Sequence, residues 1–145
     1  MRFTVDIEPI GKARPRFAKK GDDKVWAYTP QKTKDAEDAI KAAFLEKGGE
    51  CIPKGVPVEL IVTAYFPIPK SFSEKKKKAA QNGRIRPTKK PDIDNIVKLV
   101  ADALNGVAYE DDAQIALVSG YKEYVGEGRT ETGYLDLEVY GDEEL

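Results

Sequence analysis

Five aspartates, Asp92, Asp94, Asp102, Asp111 and Asp112, fall within the stretch KKPDIDNIVKLVADALNGVAYEDDAQI from Lys89 to Ile115. Asp92 and Asp94 stand two apart where the chain enters a predicted helix. Alternate residues of an extended approach point the same way, so both carboxylates can face one ion. Glu110, Asp111 and Asp112 arrive just before the next predicted strand. If that strand lies beside the helix start, one or two of them complete an all-oxygen cage of the kind that suits Mg²⁺ or Mn²⁺. A hard cation held by carboxylates bridges a phosphate oxygen and generates a nucleophilic hydroxide. Lys98 would stabilise the developing charge or orient the water. The run Asp-x-Asp-Asn-Ile is not a calcium EF-hand loop, which needs glycine at its sixth position.

The neighbouring charge names the partner. From Pro69 to Lys90 there are nine basic residues and one acid, Glu74, although the whole chain carries a formal net charge of -1. A local basic patch inside a near-neutral protein is a field suited to a polyanion. Lys12, Arg14, Arg16, Lys89 and Lys90 are the candidate contacts to a phosphate backbone. Between Glu123 and Leu145 the balance reverses, with eight acids and one arginine, Arg129. There is no histidine. That removes Ser-His-Asp and Cys-His catalysis and histidine as a general base, leaving carboxylate, lysine or tyrosine chemistry. The single cysteine, Cys51, excludes an internal disulfide and fits a reducing interior. No apolar run is long enough to span a membrane, and the start MRFTVDIEPIG lacks signal-peptide character. A cytoplasmic protein without membrane or small-molecule partners is expected.

Each feature also has a plain reading when taken singly. Asp94 alone reads as a helix cap. Asp94, Lys98 and Asp102 alone read as a solvated i,i+4 ladder, and Asp111-Asp112 as a turn. The lysines from Lys75 to Lys78 read as a solubilising face. Trp26 is assigned to the core, with Phe17 or an exposed tyrosine as the alternative stacking residue. Two further functions therefore stay open: a non-catalytic structure-selective DNA-binding module, and a metal-dependent nuclease acting on flaps or single strands.

The elements that would position these residues follow from periodicity. Phe3, Val5 and Ile7 alternate in a first strand, and Lys24–Tyr28 reads as a second after a basic loop. Thr29 as N-cap and Pro30 at the first turn open a helix with Ala36, Ile40, Ala43 and Phe44 on one stripe. Val56, Val58, Leu60 and Val62 alternate in a strong strand. Ser71 and Glu74 have capping-box spacing for a short lysine-rich helix with almost no apolar face. Asp94 is predicted to cap a helix from Asn95 to about Leu104, buried through Ile96, Val97, Val100 and Leu104. AQIALVSGYKEYV and GYLDLEVYG are predicted to pair as an antiparallel hairpin. The order β-β-α-β-α-α-β-β predicts one α+β domain over residues 1–145, with helices packed on a mixed sheet.

PDIDNIVKLVADALNG followed by YEDDAQI resembles the RusA family of Holliday junction resolvases, found largely in phages and prophages. That family's pattern is Asp-x-Asp-Asn-x-x-Lys, a short helix ending in Asp-x-Leu, a variable turn, then Asp-Asp-x-Gln-Val/Ile. Asp92, Asp94, Asn95, Lys98, Asp102, Leu104, Asp111, Asp112, Gln114 and Ile115 match it. GKARPR and AYTP also resemble one branch of the family. The resemblance implies a homodimeric, Mg²⁺-dependent endonuclease that cuts four-way DNA junctions by paired symmetric nicks. It implies Asp92, Asp94 and Asp112 as the essential metal-binding carboxylates and Lys98 as a catalytic lysine, with Asn95, Asp102 and Asp111 supporting. The N-terminal loop differs from the version in other members, so no cleavage-site preference carries over.

Overall fold

The stretch Val58–Phe66 buries Val58, Leu60, Val62 and Ala64 completely while the residues between them stay half-exposed, as the alternation predicts for a strand with one face in the core. The computed structural model describes residues 1–13, 16–20, 24–128 and 132–142. Within them the strands are β1 (Arg2–Val5), β2 (Arg16–Lys20), β3 (Lys24–Tyr28), β4 (Val58–Phe66), β5 (Ile115–Tyr124) and β6 (Tyr134–Gly141). The helices are α1 (Gln31–Glu46), α2 (Glu74–Gln81) and α3 (Ile93–Leu104), with a 3₁₀ turn at Asp112–Gln114. This is the expected α+β arrangement, with a four-stranded mixed sheet in the order β1-β6-β4-β5.

The predicted β5–β6 hairpin does not form. β4 lies between the two strands, antiparallel to β6 and parallel to β5. β4 and β6, the two most buried strands, each take partners on both edges. Nine residues separate β5 from β6, ample to step past one strand at about 4.8 Å per spacing, and no two-residue turn forces direct pairing. Parallel pairing of β4 with β5 requires a crossover, which α2 and α3 supply. The basic N-terminal segment, expected as a loop, contains β2, which pairs with β3 in a separate two-stranded sheet.

Helix starts shift by one or two residues. α1 is capped by Pro30 rather than Thr29, α2 by Ser73 rather than Ser71, and α3 by Asp92 rather than Asp94. Ser73 accepts from the Lys76 amide at 3.2 Å, whereas Asp92 makes no side-chain capping bond. α2 buries only Ala80. α3 buries Ile96, Leu99, Val100, Ala103 and Leu104, while Val97 is only partly covered. Each large apolar side chain fully removed from water contributes about 1.5–3 kcal/mol. These residues meet Ile40 and Phe44 of α1 and Leu60 and Val62 of β4 in one continuous core. Phe3 closes it edge-on against Phe44, with ring centroids 5.6 Å apart.

Gly120 sets how closely α3 sits on β5. A Cβ there would meet Ile93 Cγ1 at 2.8 Å and Val97 Cγ2 at 3.1 Å. Gly120→Ala is therefore expected to cost about 1–3 kcal/mol through overpacking. Urea unfolding measures the loss, and an unchanged midpoint would show that α3 does not bear on this position.

Candidate active site

One flank of α3 forms the wall of an open groove of about 270 Å³. Asp94, Val97, Lys98 and Ala101 recur at three- and four-residue spacing and so share that flank. Leu60, Asp112, Ile115 and Val118 form the opposite side. The structure thus brings Asp94, Lys98 and Asp112 to one groove on an apolar floor. Asp92, exposed at the N-cap two residues before Asp94, does not line it. Among the described residues no three acids or cysteines converge as a ready-made cage. The donor chemistry nonetheless fits a hard cation such as Mg²⁺, which is typically held by one or two carboxylates, with water and substrate phosphate completing the shell.

Asp102 organises the cations behind this wall. Its Oδ1 accepts from Lys98 Nζ at 3.1 Å, and its Oδ2 pairs with Lys12 Nζ at 3.4 Å. Lys12 also donates to Glu37 of α1 at 2.5 Å. Burial pushes the Lys12 ammonium down, but the hydrogen bond and charge of Glu37, joined by Asp102, outweigh it and leave it raised. Its backbone amide donates to the Asn95 carbonyl at 2.9 Å. The residue expected to touch DNA is thus tied to two acids, its side chain 21% exposed, while Lys98 remains 59% exposed. Gly11 allows this crossing, because a Cβ there would lie 2.9 Å from Asn95 Cβ.

Asp111 and Asp112 divide their work. The Asp111 carboxylate accepts from the Ala113 amide at 3.1 Å, which holds it below the usual carboxylate range; the hydrogen bond with Asp112 acts in the same direction. Asp112 is pushed up, first by its hydrogen bond with Asp111, then by partial burial and the Asp111 charge, while Lys98 pulls the other way. Gln114 fixes the turn that carries them. Its Oε1 accepts from the Glu110 and Asp111 amides, each at 3.0 Å, and its Nε2 donates to the Pro53 and Val56 carbonyls at 2.9 and 3.1 Å. Tyr109 anchors the same turn from below, donating to the Ala101 carbonyl at 2.7 Å. Burial and the charges of Asp112 and Asp102 push its hydroxyl well above the ordinary tyrosine range.

Lys89 and Lys90 are exposed on the loop before α3, where the Lys89 carbonyl accepts from Lys122 Nζ. Arg14 lies outside the described residues, and of Arg16 only the backbone, in β2, is described. Phe17 is 73% exposed on the same hairpin; the side chain of Trp26 lies outside the described set. Glu37 and Tyr109 were not singled out by the sequence. Tyr109 had one signal, an apolar triplet between a glycine turn and three acids.

An α+β sheet that lays two carboxylates and an ammonium on one groove, beside a cationic loop, has the composition of a site directed at phosphate. The chain belongs to the endodeoxyribonuclease RusA family, whose pattern it matches over residues 6–132. DNA is therefore the substrate class of its family. It is also similar to the uncharacterized protein YqaN of Bacillus subtilis (strain 168), at 41% identity over 133 residues, covering 90% of this chain and 92% of that protein. No helix among the described residues is long and apolar enough to cross a membrane.

Gln114→Ala would leave two amides and two carbonyls without their side-chain partner. A loss of about 1–3 kcal/mol is expected, read as a lower urea midpoint. Wild-type stability in this variant would show that the turn holds without it.

Proposed function

We propose that this protein is a Mg²⁺-dependent endonuclease that resolves four-way DNA junctions by paired, symmetric nicks, acting as a homodimer. The observation that carries the reading is the shared groove of Asp94, Lys98 and Asp112 on the flank of α3, within a chain of an endodeoxyribonuclease family. Asp94 and Asp112 would hold the cation; Asp92, which the family resemblance adds to them, lies outside the groove at the mouth of the helix, its carboxylate making no capping bond. Once bound, the cation supplies Lewis-acid stabilisation of phosphate charge and an activated water.

The chain's own residues supply the rest. Lys98 offers its ammonium to the developing negative charge, held in direction by Asp102 at 3.1 Å. Lys12 and Glu37 keep Asp102 in place. Leu60, Ile115 and Val118 line the groove between the carboxylates with apolar surface, which leaves Asp94, Lys98 and Asp112 as its polar groups. Lys89 and Lys90 draw in the backbone ahead of the carboxylates. A four-way junction has two equivalent scissile phosphates, and a two-fold dimer presents two such grooves.

The test is nicking of a synthetic four-way junction with Mg²⁺ present or chelated. Wild type is expected to nick opposing strands only with the metal. Asp94→Asn and Asp112→Asn should fall below detection while folded, and Lys98→Ala should slow turnover about 10²–10³-fold. Binding without nicking would leave a non-catalytic module, and preference for flaps or single strands over junctions would replace the substrate.

A further inference from the structure

A second cavity, of about 540 Å³, lies between the start of α2 and the loop that leads into α3. It is distinct from the groove of Asp94 and Asp112, with which it shares no residue. Its aromatic wall is Phe66, Phe72 and Tyr124, and Lys76, Lys89 and Lys90 also line it; among the described residues no acid does. Phe72 meets Tyr124 edge-on, with centroids 5.7 Å apart. Lys76 Nζ stands 4.2 Å from the Phe72 ring centre, and Lys122 Nζ 5.1 Å from that of Phe66. Lys122 also bonds to the Lys89 carbonyl, which ties the loop wall to β5.

We propose that this cavity takes one unstacked nucleotide of the DNA strand being cut, its base against Phe72 and Tyr124 and its phosphate on Lys76, Lys89 and Lys90. The proposal rests on the nuclease reading above. An aromatic wall ringed by ammonium groups matches a ligand that is both a flat ring and an anion; a purely apolar ligand would leave the lysines unmatched. The cavity also adjoins the site along the chain. Lys90 and Asp92 are two residues apart, so at most about 7 Å of backbone separates them. A strand placed on the carboxylates thus brings a neighbouring nucleotide to this opening. Extracting a base is easiest where stacking is already interrupted. A branch point offers such a base and an intact duplex does not, so the cavity would select branched DNA.

The experiment places 2-aminopurine, one position at a time, around the cut in a four-way junction and adds full-length protein in chelator. One position is expected to change fluorescence on binding by wild type. Phe72→Leu and Lys76→Glu should suppress that change and weaken junction binding about fivefold or more, with linear duplex binding altered less. Lys76 is exposed on α2, so its variant tests the cavity even if Phe72→Leu lowers stability. No responsive position, or a response equal in both folded variants, would overturn the proposal. Nicking with Mg²⁺, measured in parallel, reads the enzyme separately. Nicking without a fluorescence response removes only the cavity's role; a Phe72-dependent response without nicking keeps the nucleotide site and removes the nuclease.

Discussion

The close seat of α3 on β4 and β5 is the constraint from which the site follows, because both walls of the groove belong to that contact. Ile96, Leu99, Val100, Ala103 and Leu104 turn one face of the helix wholly into the core. Asp94, Val97, Lys98 and Ala101 are left along the edge of that contact, facing Ile115 and Val118. Gly120 lets the first turn of the helix drop onto β5 beneath Ile93. A side chain there would lift the end that carries Asp92 and Asp94. Packing and chemistry are therefore set by one helix rotation.

Charge supplies the second level of order. Carboxylates beside a phosphate backbone repel it, and a basic loop alone would not place a scissile bond. Here the roles are separated in space. Lys89 and Lys90 are exposed at the approach. Lys98 sits in the groove, and Lys12 is withdrawn into a network with Glu37 and Asp102. The last arrangement gives Asp102 a structural function, since each of its oxygens is committed to a different lysine. Asp111 is likewise committed, to the Ala113 amide. That leaves Asp112 as the member of the pair that turns to the groove.

Much of this was legible in the sequence where the signal is local. The alternation of Val58 to Ala64 and the stripe of Ile96, Val100 and Leu104 gave their elements directly. Helix starts slipped by up to two residues because Ser71 and Ser73, or Asp92 and Asp94, are equally good caps by type. β2 was missed because RFAKK has little apolar alternation to distinguish it from a basic loop. The β5–β6 pairing failed for a different reason: adjacency in sequence cannot reveal that β4 inserts between them. In the site, Asp94, Lys98 and Asp102 could be singled out by type and spacing, whereas the choice of Asp112 over Asp111 came from the family resemblance. Lys12 could not be assigned to Glu37, nor Gln114 to Pro53 and Val56, since those partners lie 25 and about sixty residues away.

The central claim is that Asp94 and Asp112 act together on one cation. Titration of the purified protein with Mn²⁺, followed by the loss of the free-ion electron paramagnetic resonance signal, tests it without DNA or turnover. Saturable binding to wild type is predicted, with that component lost in both Asp94→Asn and Asp112→Asn while their circular dichroism is unchanged. Equal Mn²⁺ binding by wild type and both folded variants would contradict the account.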